Sequence, residues 1–405
     1  MNRKSRIIRW LQALGPGIII AALVFGPSKI TITTKLGAEY GYSMIWIVAV
    51  AIFFMIIFTN MGARIGEASK ISLLSSIRDE WGNKVAVVIG IGIFLVTTAF
   101  QAGNSTGVGI AFAEATGTSS KIWIILFNLI GIGLLFFRSF YKTLERLMIT
   151  LVALMLLSFV ATLFFVKPDF TQVASGFVPV IPMGSGGLII AFMASCFSIV
   201  GAFYQSYLVQ ERKKIEPGEE KQNKGNSSII GILILGVMSA MVLICAAAVL
   251  HPKGIKVNSA TQMAKALKPL FGIYATNLFL MGFFGASFSS LIGNASVGGT
   301  LLGDALGYGS RLSSKITRGL IGLVMVCGAI IAIIFGKLPL ELIVFAQSIT
   351  IFLVPFIGIA MFFIANKKKI MRNYVNGTVI KFFGALGLVL VFLLAIYNVY
   401  DLFIK

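Results

Sequence analysis

Phe25-Gly26-Pro27-Ser28-Lys29-Ile30 stands near the middle of the first long apolar stretch of the chain, residues 13–36. Proline has no amide hydrogen to offer a helix interior, and glycine destabilises a helix. Backbone groups freed inside lipid must find partners in protein, water or solute, so a helix break at membrane depth commonly marks a solute site. A lysine at that depth is costly unless it is paired or functional. The stretch therefore predicts a broken membrane helix that contacts a solute.

The rest of the chain has the composition of a protein that crosses a membrane many times. It has 405 residues, of which 58% are hydrophobic and 12% charged, and its mean hydropathy is +0.95. A spanning helix needs about 20 apolar residues, and stretches of that size recur throughout residues 1–405, which we interpret as a single transmembrane domain. We predict eleven spans, at 13–36, 42–63, 85–113, 120–138, 147–166, 187–210, 228–250, 270–303, 317–336, 341–365 and 379–400.

The net charge of +20 is explained by topology and does not indicate nucleic acid. Most of the 34 lysine and arginine residues fall on one side of the predicted spans. By the positive-inside rule that side is cytoplasmic, and it carries the N-terminus. Eleven spans then place the C-terminus outside the cell. The short loops favour a bacterial inner (plasma) membrane.

A second, weaker break is predicted in the sixth span, around Ser195, Ser198 and Gly201. It follows the first break by one unit of five helices. Because an odd number of helices inverts the next unit in the membrane, this spacing is typical of an inverted repeat with the solute between two broken helices. We predict repeats at 13–166 and 187–365, followed by an additional eleventh helix at 379–400.

Several short motifs resemble the NRAMP family of proton-coupled metal transporters, in the family's order and spacing. They are Leu14-Gly15-Pro16-Gly17, Gly37-Ala38 with Gly41-Tyr42 and Trp46, Ala63-Arg64-Ile65-Gly66, Leu144-Glu145-Arg146-Leu147-Met148, Leu208-Val209-Gln210, and Gln347 with Pro355-Phe356. The resemblance covers nearly the whole chain. It implies an all-α integral membrane protein of the LeuT type, a 5+5 inverted repeat with an eleventh helix and with helices 1 and 6 broken at the midplane.

The chain departs from the family at the metal ligands. The family's Asp-Pro-Gly-Asn is replaced by Gly26-Pro27-Ser28-Lys29, and its Met-Pro-His by Ser198-Ile199-Val200. No acidic residue lies near the middle of a predicted span, whereas hard divalent ions need carboxylate or several oxygen ligands. Lys29 would repel such an ion. We therefore predict no metal ligand set of the family's kind and no cofactor.

Lys29 itself allows three interpretations. It reaches an interface or pairs with a carbonyl; its ammonium replaces a bound cation and organises the unwound carbonyls; or it binds a substrate carboxylate or titrates during transport.

The function that these residues predict is secondary active transport of a small organic solute such as an amino acid, because half-helix ends bind carboxylates and ammonium groups. An alternative is a proton-coupled divalent metal transporter for Mn, Fe or Mg that uses backbone and hydroxyl ligands. A second alternative is a membrane sensor that does not transport. An enzyme is not predicted. The expected partners are the solute, the lipid bilayer and a coupling proton, with no nucleic acid, for a protein that works as a monomer.

The predicted site residues cluster at the two breaks and on neighbouring helices. Those predicted to bind substrate are Gly26, Pro27, Ser28, Lys29, Ser195, Ser198, Val200, Gly201, Phe203, Tyr204 and Gln205. Those predicted to line the path are Gln101, Asn104, Ser289, Asn294 and Gln347.

Overall fold

The computed structural model describes residues 15–137, 140–215, 226–257, 260–335 and 340–403, and in these ranges the regular structure is entirely helical. The first eight α-helices are α1 Gly15–Val24, α2 Pro27–Tyr40, α3 Ile45–Ala68, α4 Leu73–Trp81, α5 Asn83–Thr116, α6 Ser120–Leu134, α7 Phe140–Val166 and α8 Phe170–Ser175. The others are α9 Gly186–Phe197, α10 Ile199–Ile215, α11 Asn226–Val249, α12 Ala260–Ala305, α13 Lys315–Phe335, α14 Leu340–Asn366, α15 Lys368–Met371 and α16 Thr378–Phe403.

In the described ranges, eight helices are long and apolar enough to cross a membrane, or nine if one bent pair counts as a single span. Two of the eleven predicted spans contribute only short apolar helices, α1 and α6. The first is short because the break divides it, and α2 continues with little interruption into α3. The count is therefore lower than predicted. The division into two five-helix repeats stays a prediction.

The first break lies where the sequence places it. Gly26 caps α2 in an extended conformation, with φ −93° and ψ 178°, and Pro27 is the first helical residue. The Gly26 amide donates to the Val24 carbonyl at 2.9 Å, which closes α1, and the Ile30 amide donates to the Gly26 carbonyl at 3.1 Å, which opens α2. Proline fits this position because its missing amide hydrogen would have no partner in the first turn anyway.

The second break has a different backbone conformation from the first. Ser198 joins α9 to α10 in the left-handed region, with φ 30° and ψ 52°. That conformation is unfavourable for a residue with a side chain, so the backbone is strained at Ser198. The two half-helices meet at this one residue, and the Ala202 amide donates to the Ser198 carbonyl at 2.9 Å as α10 begins.

Small residues allow the helices around the breaks to pack closely. A Cβ atom added to Gly62 of α3 would collide with the Ala202 carbonyl oxygen of α10, and one added to Gly66 would collide with the main chain of Ser206. Two glycines four residues apart lie on one helix face and let two backbones approach. At these two glycines the backbone of α10 therefore packs directly against the backbone of α3.

Candidate functional site

A cavity lies between the two helix breaks and is closed on its other sides by α5, α12 and α14. It holds about 690 Å³ of space outside the protein atoms, its mouth included. Its lining residues are Leu23, Val24, Gly26, Ser28, Lys29, Val96, Thr97, Phe100, Asn104, Ala194, Ser195, Ser198, Ile199, Val200, Gly201, Asn294, Val297, Thr350 and Val354. Both breaks therefore open onto the same space, as a solute site between broken helices requires.

The structure brings nine of the predicted site residues to this cavity. They are Gly26, Ser28, Lys29, Asn104, Ser195, Ser198, Val200, Gly201 and Asn294. Pro27 is buried beside them and faces α5, where a Cβ atom added to Gly107 would lie 2.8 Å from the Pro27 Cβ atom.

Other predicted residues lie away from the cavity. Phe203, Tyr204 and Gln205 are fully buried in α10 but do not line it. The Gln205 amide donates to the Ser228 hydroxyl of α11 at 2.7 Å, on another face of the half-helix. Their predicted role in substrate binding gains no support from this placement. The side chain of Gln347 lies outside the described residues.

Two serines of α12 donate hydrogen bonds to carbonyl groups at the C-terminal end of α1. The Ser289 hydroxyl donates to the Ala22 carbonyl at 2.9 Å, and the Ser290 hydroxyl donates to the Leu23 carbonyl at 2.9 Å. Ser289 therefore supports the break from behind and is not among the residues that line the cavity. These hydrogen bonds satisfy carbonyl groups that the sequence predicts to be available to the solute.

Three amides form a cluster behind and along the cavity wall. The side-chain NH₂ group of Asn104 donates to Gln101 Oε1 at 3.4 Å and to the Ser290 carbonyl at 3.2 Å. The NH₂ group of Asn294 donates to the Thr97 carbonyl at 2.6 Å and to Gln101 Oε1 at 3.3 Å. Gln101 is fully buried, and its own NH₂ group donates to the Leu291 carbonyl at 2.8 Å.

This cluster fixes which atom each asparagine offers to the cavity. An amide has two donor hydrogens and one acceptor oxygen, and both donor hydrogens of Asn104 and of Asn294 are already used. Neither Oδ1 atom accepts a hydrogen bond within the described part of the chain. Asn104 Oδ1 lies at the first break, 3.2 Å from where a Cβ atom on Gly26 would stand. The wall thus presents acceptor oxygens, which suit a cation.

Hydroxyl groups from both breaks complete the polar lining. The hydroxyls of Ser28 and Ser198 donate to no other described residue, whereas the Ser195 hydroxyl donates to the Phe192 carbonyl at 2.8 Å. None of the described residues that line the cavity is an aspartate or a glutamate. Across the described residues, no three His, Cys, Asp or Glu side chains are grouped closely enough to hold a metal ion. Among the described lining residues, the uncharged polar side chains that face the cavity carry hydroxyl and amide groups.

Lys29 is the charged residue among the described residues of the lining. It lies in the first turn of α2, is only 1% exposed, and its Nζ atom stands 5.5 Å from the ring centroid of Phe192. The side chain therefore does not reach an interface, which removes that part of the first interpretation. An ammonium over an aromatic face is a favourable contact.

Sequence reasoning missed Thr97 and Thr350, which also line the cavity. Thr97 carries a signal that could have found it, because it precedes Gln101 by four residues and Asn104 by seven, which places all three on one helix face. Thr350 carries a similar signal, because it follows the predicted Gln347 by three residues, which places both on one face of α14.

A second polar network closes one end of the bundle. The Tyr207 hydroxyl of α10 donates to Asp304 Oδ2 at 2.6 Å and accepts from the Leu74 amide at 3.2 Å. Arg78 of α4 donates to the carbonyls of Asp304 and Ala305 at 2.8 and 3.0 Å. These contacts join α4, α10 and α12 about two helix turns beyond the cavity.

The chain is similar to known proteins along nearly its full length. The family model described as "Natural resistance-associated macrophage protein-like" matches residues 17–401. A relative in Deinococcus radiodurans, named divalent metal cation transporter MntH, is 25% identical over 375 residues, which is 91% of this chain and 85% of that protein.

Solved structures show the same fold. A crystal structure of the Eremococcus coleocola manganese transporter, in complex with an aromatic bis-isothiourea substituted compound, matches with a TM-score of 0.76 at 16% identity, covering 99% of this chain and 88% of that one. A nucleobase-cation-symport-1 family transporter matches with a TM-score of 0.58 at 13% identity, covering 96% of this chain and 93% of that one. The predicted LeuT-type fold class is thereby confirmed.

Proposed function

This chain belongs to the natural resistance-associated macrophage protein (NRAMP) family of membrane transporters, and from that premise we propose that it is a secondary active transporter of a divalent metal cation. The relative in D. radiodurans is named a divalent metal cation transporter, and the E. coleocola structure is titled a manganese transporter. Both support the proposal.

The prediction of an organic solute, drawn from the altered ligands, is wrong. It assumed that a cavity without the family's carboxylate and thioether cannot take a metal ion, whereas the chain's relatives bear metal-transporter names. The assumption fails on physical grounds as well, because hard divalent cations also accept amide, carbonyl and hydroxyl oxygens when several converge. The metal alternative takes its place.

One observation carries the proposed site: the acceptor oxygens of Asn104 and Asn294 at the wall of the cavity between the breaks. Their NH₂ groups donate hydrogen bonds to carbonyls elsewhere, which fixes the orientation of each side-chain amide and prevents a flip that would replace the oxygen by the NH₂ group. With the hydroxyls of Ser28 and Ser198 they provide four neutral oxygen ligands. Such a set suits oxygen-loving ions such as Mn²⁺ and Mg²⁺ better than soft ions, which prefer sulfur and imidazole.

We propose that the protein works as a monomer in the bacterial inner (plasma) membrane, with the N-terminus cytoplasmic and the C-terminus external. The proposed coupling ion is a proton. The asymmetric placement of its basic residues supports the orientation. A transporter moves its cargo without changing it chemically. Because the chain belongs to a family of transporters, we propose no enzymatic activity.

Binding of Mn²⁺ to the purified protein, measured by isothermal titration calorimetry, tests the site. The substitution Asn104→Leu should weaken binding at least tenfold, because it removes an oxygen ligand and places a methyl group against the break. Asn128→Leu is the matched control: Asn128 is a buried amide of α6 that donates to the Ile124 carbonyl at 2.8 Å and lies away from the cavity. Equal effects of the two substitutions would contradict the proposed site.

A further inference from the structure

A dense group of basic residues, which we call the basic segment (residues 367–381), links α14 to α16. It contains Lys367, Lys368, Lys369, Arg372 and Lys381, and the sequence from residue 342 to residue 400 has no aspartate or glutamate. Lys367 forms an ion pair with Glu80 of α4. The other four basic residues are exposed, and within the described part of the chain they form no ion pair. Their four charges are thus open to an anionic partner.

The fold holds the basic segment in a defined place. The chain bends by 64° between α14 and residues 368–374. The Asn376 amide then donates to the Ala365 carbonyl at 3.3 Å, so the end of α14 and the start of α16 lie close together. A side-chain NH₂ group of Arg64, on α3, donates to the Val375 carbonyl at 2.7 Å. The exposed basic residues on the two sides of the bend therefore share one supported surface.

An exposed apolar surface begins beside these charges. On α16 the exposed apolar residues recur every three or four positions, which forms one helix face: Val379, Phe382, Leu386, Val389 and Leu393. At the end of α14, the exposed ring of Phe363 contacts that of Trp81 edge-on, at 6.4 Å between centroids. Tryptophan is enriched at the membrane–water interface. The basic segment therefore lies at the level of the lipid headgroups, with an apolar helix face leading into the acyl region.

We propose that the basic segment binds an anionic phospholipid, whose phosphate lies among the four exposed basic side chains and whose acyl chains follow the apolar face of α16. Arginine matches phosphate with two parallel hydrogen bonds, and lysine contributes as a point charge. Clusters of four or more basic residues directly beside the end of a membrane helix attract anionic headgroups. A soluble phosphate would match the charges alone, whereas a lipid also uses the adjoining apolar face. The inference does not depend on the identity of the cargo.

The test measures the thermal unfolding midpoint of the purified full chain in uncharged detergent, with added phosphatidylglycerol or with phosphatidylcholine of the same acyl chains. A lipid that binds only the folded protein raises the midpoint. Phosphatidylglycerol should raise it by about 4 °C more than phosphatidylcholine does. The triple variant Lys368→Gln/Lys369→Gln/Arg372→Gln should lose most of this difference. The charge-keeping variant Lys368→Arg/Lys369→Arg should retain it.

A second triple variant controls for the loss of net charge. Lys70→Gln/Lys84→Gln/Lys315→Gln removes three exposed positive charges from three other segments on the predicted cytoplasmic side, and it should keep the full response to phosphatidylglycerol. In phosphatidylcholine both triple variants should unfold at the wild-type midpoint, which shows that they are folded. Inorganic phosphate at millimolar concentration, added in place of the lipid, should leave the wild-type midpoint unchanged.

Three results would overturn the proposal. The first is a wild-type midpoint that responds equally to the two lipids. The second is an equal loss of response in the two triple variants, because the attraction would then be a property of net charge and not of this segment. The third is a shift with inorganic phosphate as large as that with phosphatidylglycerol, which would make the segment a site for a soluble anion. None of these results bears on the proposed metal transport, which Mn²⁺ binding tests separately.

Discussion

At the scale of single residues, Gly26 stands where the family has a carboxylate, and its surroundings have adapted to the missing side chain. A Cβ atom on Gly26 would lie 2.8 Å from Ser290 Oγ and 3.2 Å from Asn104 Oδ1. The space that a ligand side chain would fill is thus taken by a supporting hydroxyl and by the amide oxygen that we assign to the site. Reverting one residue does not restore the family's site.

We therefore predict that Gly26→Asp destabilises the protein by about 1–3 kcal/mol, since overpacking forces neighbouring groups to shift. Adding Ser290→Ala should recover part of that loss by removing the closest atom. Thermal unfolding in detergent measures both. Gly133→Ala is the control, because a Cβ atom there meets nothing within 4 Å in an exposed part of α6, and alanine should favour that helix by about 1 kcal/mol. An unchanged midpoint for Gly26→Asp would contradict the packing argument.

At the scale of helical elements, the two breaks are made differently, which explains how far each could be predicted. The first break is a local property of glycine and proline, and the sequence locates it to the residue. The second depends on Ser198 holding a left-handed conformation without glycine or proline, so only its spacing from the first break indicated it. The orientation of Asn104 and Asn294 could not be predicted, because it depends on carbonyls nearly 200 positions away in sequence.

The strain at Ser198 leads to a prediction with two opposite effects. Ser198→Gly should raise the thermal midpoint, because glycine adopts φ 30° without the cost borne by a side chain, a gain of about 1 kcal/mol. The same change should weaken Mn²⁺ binding, because it removes one of the proposed oxygen ligands. Differential scanning fluorimetry and titration calorimetry measure the two effects. A variant that gains stability and keeps full affinity would remove Ser198 from the proposed ligands.

At the scale of the whole molecule, the network at one end of the bundle ties α10 to α4 and α12. Tyr207→Phe would leave Asp304 Oδ2 and the Leu74 amide without their partner, and a buried group left unsatisfied costs about 1–3 kcal/mol. The stability of the variant in thermal unfolding should fall accordingly.

Tyr204 supplies the internal comparison. It lies in the same half-helix, its ring stacks on that of Tyr207 at 6.2 Å between centroids, and its buried hydroxyl lies near the Thr300 hydroxyl without forming a hydrogen bond of standard geometry. Tyr204→Phe should therefore be neutral or stabilising. If both phenylalanine variants lost the same stability, the network would not be what holds this end together.

The whole-molecule architecture followed from composition, spacing and family motifs, while the cargo did not. Hydropathy and the Gly-Pro break are properties of the chain itself, so the all-helical transporter fold was accessible from sequence. The prediction of an organic solute was wrong because it rested on the absence of the family's carboxylate ligands from this sequence. It could not take into account that two asparagines, on α5 and α12, line one cavity and use their NH₂ groups in hydrogen bonds to distant carbonyls.

The measurement that tests the central claim most directly is Mn²⁺ uptake into proteoliposomes containing the purified protein, followed by quenching of a trapped fluorescent indicator. Saturable uptake above that of protein-free liposomes is expected, reduced by Mg²⁺ and unaffected by amino acids. Folded protein that binds Mn²⁺ without moving it would indicate a sensor. Protein that neither binds nor moves any divalent cation would contradict the account.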